Sequence, residues 1–206
     1  MTGPIDIVMA EVRQRDRDRY LSILYAPEPV RPALFALHGL DLEMAHVVAG
    51  TTDPMIGAIR LAWWREALEG LDDGVVPAQP LLQLTASAVL PRGIGGKALA
   101  TIEDRWLEMI DSAAVPAAHV AGGAALFGWA ATLLGGDPAL GARLGTAWTL
   151  GDDSALPRVP ALLRPLLGLA RLSARDAARA RAGKPAEMRG SLARQWLLLK
   201  AIALGL

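Results

Sequence analysis

The run Met55-Ile56-Gly57-Ala58-Ile59-Arg60-Leu61-Ala62-Trp63-Trp64-Arg65-Glu66-Ala67-Leu68-Glu69 decides the fold class. It is rich in good helix formers and lacks the period-two alternation of a half-buried strand. Stepped at about 100° per residue, Ile56, Leu61, Trp63, Trp64, Ala67, Leu68 and Leu71 fill one wide apolar arc, and Arg65, Glu66 and Glu69 fill the other side. Thr52-Asp53-Pro54 supplies an N-cap and a first-turn proline, and Asp72-Asp73-Gly74 with Pro77 ends the helix. Arg60 falls inside the apolar arc. A guanidinium there needs a carboxylate, a carbonyl or an anionic ligand, because an unpaired buried charge costs several kcal/mol.

Outward from this helix the same pattern repeats. The preceding segment, near Val30 to Ala49, is apolar on nearly every side, which marks a central buried helix. Proline and glycine punctuate the rest. Helices are expected near 6–25, from Pro80 towards Pro91, over Ile94 to Ala114, Ala117 to Leu134 and Pro138 to Leu150, from about Pro165 to Ala182, and from Met188 to Leu206. The expectation is a single all-α domain over 1–206.

With 52% hydrophobic and 20% charged residues the chain is not a disordered one. It has no cysteine, which excludes disulfides, thiolate metal sites, iron–sulfur clusters and cysteine nucleophiles. Its 21 basic and 21 acidic residues cancel, so no globally basic nucleic-acid binder is expected. The cancellation hides an asymmetry. Residues 158–206 carry 10 basic and 2 acidic side chains, a segment suited to a protein partner or an anionic membrane surface, or simply a solvated helix face. The first residues lack a basic stretch followed by an apolar one, so a cytoplasmic location is expected, with peripheral membrane attachment through the basic segment. Ser112 to Gly136 is uncharged and long enough to span a bilayer. Its glycines, alanines, Pro116 and His119 favour a buried helix, with Ala124 and Gly128 allowing a neighbour to approach closely.

Candidate chemistry is sparse. His38 and Asp41, three apart on the second helix, form a polar seam, and Asp41 is a candidate partner for Arg60. Asp104, Glu108 and Asp111, with Arg105 nearby, read as a solvated acidic face. Asp152-Asp153 after Gly151 either cap the next segment or hold a hard cation such as magnesium. Gly93-Ile94-Gly95-Gly96-Lys97 precedes a helix but lacks P-loop spacing. Trp63, Trp64, Trp129 and Trp148 are core residues or the walls of an apolar tunnel.

Several runs together resemble the squalene/phytoene synthase family: Asp16-Arg17-Asp18-Arg19-Tyr20-Leu21, Leu24-Tyr25-Ala26-Pro27, Arg31-Pro32-Ala33-Leu34-Phe35-Ala36-Leu37 and Ile59 to Leu68. The chain is most similar to a divergent branch that includes mitochondrial complex I assembly factors. The resemblance implies an isoprenoid synthase-like helical bundle around a central cavity. In catalytic members it also implies two aspartate-rich helices whose magnesium ions grip an isoprenoid diphosphate while prenyl chains are joined. The first such motif aligns with Ala45, His46 and Ala49, where no carboxylate stands; Asp41 lies one turn earlier. The second aligns with Trp148 to Leu156, where Asp152-Asp153 remain but the spacing of the motif is lost.

The expected role is therefore a pseudoenzyme, accessory or assembly-type, without a cofactor. The alternatives are a magnesium-dependent prenyltransferase with a remodelled site and a prenyl-lipid binding module with an isoprenoid ligand. For the enzyme, Asp41, His38 and Arg60 are the catalytic candidates. Arg60, Trp64 and Arg65 would bind substrate, and Asp152 and Asp153 would bind metal.

Overall fold

The structure, a computed structural model, describes residues 3–112 and 114–205. Among them no strand occurs, and the fold is all-α as expected. The helices are α1 (Pro4–Arg15), α2 (Arg17–Leu24), α3 (Arg31–Ala49), α4 (Pro54–Gly70), α5 (Pro80–Ala88), α6 (Gly96–Ala100), α7 (Ile102–Leu107), α8 (Ala117–Leu133), α9 (Pro138–Leu150), α10 (Arg164–Arg181) and α11 (Leu192–Leu204). Two compact units emerge: residues 3–12 with Pro32–Gly122, and Arg13–Arg31 with residues 123–205.

Local chemistry explains where the helices break. The helix expected over 6–25 is two, because Asp16 turns the chain and caps α2, its carboxylate accepting from the N–H groups of Asp18 (3.0 Å) and Arg19 (3.1 Å). The helix expected from Ile94 to Ala114 is the short pair α6 and α7, divided where the Thr101 hydroxyl takes the Ala98 carbonyl (2.7 Å). The last helix starts at Leu192 rather than Met188. Before it, Gly190 turns with φ +72°, and a Cβ there would sit 2.3 Å from Arg17 Cδ. The expected end at Leu206 lies outside the described residues, as does Ala113. Asp53 caps α4 as read from Thr52-Asp53-Pro54, accepting from Met55 N–H at 2.9 Å.

In the first unit α3 is the central rod: every residue from Ala33 to Asp41 is buried. In the second unit that place belongs to α10, buried from Pro165 to Ala170 and packed by α2, α9 and α11. There the small residues of α8 meet glycines of α9. A Cβ on Gly145 would sit 2.2 Å from the Gly123 carbonyl and 2.9 Å from Ala124 Cα, and one on Gly141 2.5 Å from the Phe127 carbonyl. This is the close approach expected at Ala124 and Gly128. No described helix is long and apolar enough to cross a membrane.

Only half of the α4 arc is core. Gly57, Leu61, Trp64 and Leu68 are buried, where α4 packs on α6 and α7. Ile56 and Trp63 lie about half exposed, on a face shared with Met55, Ile59 and Arg60. The arginine inside the arc marks the face that the core leaves uncovered.

Candidate functional site

Asp41 is wholly buried on α3, and its carboxylate is already engaged. Arg105 Nε of α7 lies 2.9 Å from Asp41 Oδ1, and Trp106 Nε1 donates to the same oxygen at 2.9 Å. Arg105 in turn donates to the His119 carbonyl (2.5 Å), and the His119 ring Nδ1 meets the Arg105 carbonyl at 3.0 Å. A carbonyl only accepts, so Nδ1 carries the proton. Burial, then the Arg105 charge, pushes the His119 imidazole below its ordinary range. His119 closes edge-on against Trp106, ring centres 4.9 Å apart. Asp41 thus holds a buried cation and an indole in place. His38 is buried on the same helix.

The partnership of Asp41 with Arg60 expected from the sequence does not form. Asp41 faces α7, whereas Arg60 is exposed and lines a pocket of about 530 Å³ with Glu43, His46, Trp63 and Trp64. Arg65 is taken by Glu103 (Nε to Oε2, 2.8 Å) and Asp104, so α4 and α7 are pinned together. The expected solvated face holds for Asp104, Glu108 and Asp111, all exposed, whereas the neighbouring Glu103 and Arg105 are buried and α7 ends before Asp111. The glycine-rich run 93–97 serves packing. Asp72 caps α6 by accepting from the N–H groups of Gly96 (2.6 Å) and Lys97 (2.9 Å), and a Cβ on Gly96 would strike the Leu68 carbonyl at 2.0 Å.

In the second unit Asp152 and Asp153 border a groove of about 880 Å³ whose other walls include Arg171, Arg175, Arg181, Trp196 and Lys200. Asp152 accepts from the Ser154 N–H at 3.0 Å. That bond, then the Ser154 hydroxyl, holds its carboxyl below the usual range. Asp153 pairs with Arg171 at 2.6 Å. Both are engaged as a turn and an ion pair. Magnesium needs several convergent oxygens. Among the described residues no three His, Asp or Glu side chains group to hold a metal ion. The donor set therefore does not fit the magnesium cluster that prenyl transfer requires.

The strongest charge cluster of this unit was not visible in the sequence. Arg194 of α11, buried, binds Asp18 of α2 through Nε (2.9 Å) and Nη2 (2.8 Å) and also binds Asp176. Asp18 further accepts from the Gly190 N–H at 2.9 Å. Burial works against the Arg194 charge, but the hydrogen bonds it donates to Asp176 and Asp18 outweigh it and hold the guanidinium above its ordinary value. Arg175 and Glu187 join alongside at 2.7 Å. Much of the basic excess of 158–206 is spoken for in this way. Arg164, Arg171, Arg175, Arg179, Arg189 and Arg194 all bind carboxylates or carbonyls of their own unit.

The comparisons with known proteins match part of the sequence to a family model. Residues 12–113 match the squalene/phytoene synthase family model. The class is thus an all-α protein with a squalene/phytoene synthase-type segment over those residues. Its particular likeness is to NADH dehydrogenase (ubiquinone) complex I assembly factor 6, as the divergent-branch resemblance implies. Identity to the Homo sapiens protein is 28% over 103 residues, half of this chain and 31% of that protein. To the Bos taurus protein it is 29% over 70 residues, 34% of this chain and 21% of that protein. The matches therefore span about a third or less of the length of these relatives. No solved structure matches.

Proposed function

We propose that this chain is a non-catalytic squalene/phytoene synthase-type protein that serves as an assembly factor, with components of an NADH dehydrogenase complex I as its protein partners. The observation that carries the proposal is the fate of Asp41. Asp41, the carboxylate one turn before the lost first aspartate-rich motif, is fully buried and bound by Arg105 and Trp106. A carboxylate wholly buried against Arg105 and Trp106 is not presented to a metal-bound diphosphate. Ala45, His46 and Ala49 offer none in its place. What persists is the helical scaffold, and a scaffold without its site does not inherit the chemistry. The likeness to complex I assembly factors supports the partner class.

Two measurements test this. Deleting the gene should deplete the assembled NADH dehydrogenase complex on native gels, with its subunits still synthesised, and a variant at the exposed Asp152, Asp152→Asn, should restore it as the parent does. Purified protein incubated with farnesyl or geranylgeranyl diphosphate and magnesium should give no coupled product. Turnover that Asp152→Asn abolishes without lowering the melting temperature would establish the prenyltransferase instead.

A further inference from the structure

The pocket in the first unit gathers His46, Arg60 and Trp64 where, among the described residues, no group of carboxylates could hold a metal. It lies between the last turns of α3, which contribute Glu43, His46 and Val47, with Gly50 just beyond, and the middle of α4, which contributes Arg60, Trp63 and Trp64. Its volume of about 530 Å³ suits a small molecule. Among the described residues the side chains of Arg60 and His46 make no hydrogen bond or ion pair. Both side chains can donate to an anion, and a guanidinium matches a carboxylate fork to fork. Trp63, 47% exposed, stands edge-on to Trp64 with ring centres 5.1 Å apart. One and two turns further towards the start of α4, Ile59 is 63% and Met55 72% exposed, with Ile56 at 49% beside them. A cationic end thus opens onto an apolar strip on one helix face. Glu43 sits in the same pocket and disfavours a highly charged ligand.

We propose that this pocket binds an amphiphile with a single negatively charged head group, such as a long-chain carboxylate. The head rests on Arg60 beside His46, and the chain lies along Trp63, Ile59 and Ile56. No metal takes part. The site is independent of the assembly role, because its readout is binding to the purified chain.

The test is a tryptophan-fluorescence titration of the full chain with laurate below its micelle concentration, with EDTA present throughout. Dodecanol, acetate and dodecyl phosphate are the comparison probes. Laurate should saturate a single site, while dodecanol and acetate should each bind at least tenfold more weakly. Arg60→Gln, on an exposed position, should leave the melting temperature unchanged and weaken laurate at least tenfold. Trp63→Leu should weaken laurate while leaving acetate as it was. Equal binding of laurate and dodecanol, or an Arg60→Gln protein that binds laurate like the parent, would overturn the site. Tighter binding of dodecyl phosphate, whose head carries up to two charges, would overturn the single-charge assignment.

Discussion

Replacing Asp41 by alanine separates a structural carboxylate from a chemical one. The substitution leaves Arg105, 3% exposed at its side chain, as an uncompensated buried cation. Breaking a buried pair from one side costs about 3–5 kcal/mol. The Trp106 N–H also loses its acceptor, and an unsatisfied buried donor adds about 1–3 kcal/mol where water does not reach it. The terms overlap, so about 4 kcal/mol is the working figure, against about 5–15 kcal/mol for a whole folded protein. For a chain of this size that lowers the melting temperature by about 8–16 °C. The Asp41→Leu, Arg105→Met pair removes both charges and should recover most of the loss. The assay is calorimetric melting of the four proteins of the Asp41–Arg105 cycle. A carboxylate kept for chemistry behaves in the opposite way, its removal costing little or raising stability. Asp41→Ala melting within 2 °C of the parent, a margin well below the estimate, would refute the structural role.

Four further outcomes follow from the same geometry. Arg194→Met leaves Asp18 buried without its main cation and should cost about 3 kcal/mol, seen as faster amide exchange along α11. Gly145→Ala forces a methyl group into the α8 backbone and should cost at least about 3 kcal/mol, read from urea unfolding, whereas Gly183→Ala should spare the α8–α9 contact. Glu187 is held at about 2 by hydrogen bonding to Arg175, then by the Arg175, Arg179 and Arg194 charges. Its folded value lies below the ordinary 4.5, so its contribution is complete above about 4.5 and fades as the pH falls towards about 2; Glu187→Gln should flatten the acid limb of the stability curve in that window. Calorimetric titration with magnesium should show no saturable site, and Asp153→Asn should leave that result unchanged; a stoichiometric heat lost in Asp153→Asn would refute the ion-pair role of Asp153.

What the sequence made legible was local. Proline and glycine located most helix boundaries, Asp53 announced its own cap, and the unbroken apolar run of α3 gave its burial. The small residues Ala124 and Gly128 foretold a close helix contact because volume alone governs it. The α2 break carried a signal that the periodicity overrode: Asp16, with Asp18 following in the first turn, is a good cap. On α4 the wheel described the arc correctly but not how much of it is core, since hydrophobicity does not say which apolar edge finds a neighbour. The partners of Asp41 and Asp18 were beyond reach. Trp106 stands 65 positions from Asp41, and Arg194 stands 176 from Asp18. Nothing in the flanking residues encodes such a pairing.

The clasp between Asp18 and Arg194 also sets a schedule. A ribosome adds about 5–20 residues per second, so at a separation of 176 residues Asp18 emerges roughly 10–35 s before its cation has been polymerised. Until α10 follows, the apolar side of α2 lacks its main mate within its own unit, and Asp18 waits longer still, for residues 189–194, although residues 32–122 can already condense. Newborn chains should therefore pass through a half-finished stage with an open acidic seat, where a chaperone or a basic peptide would find its best opportunity to intervene.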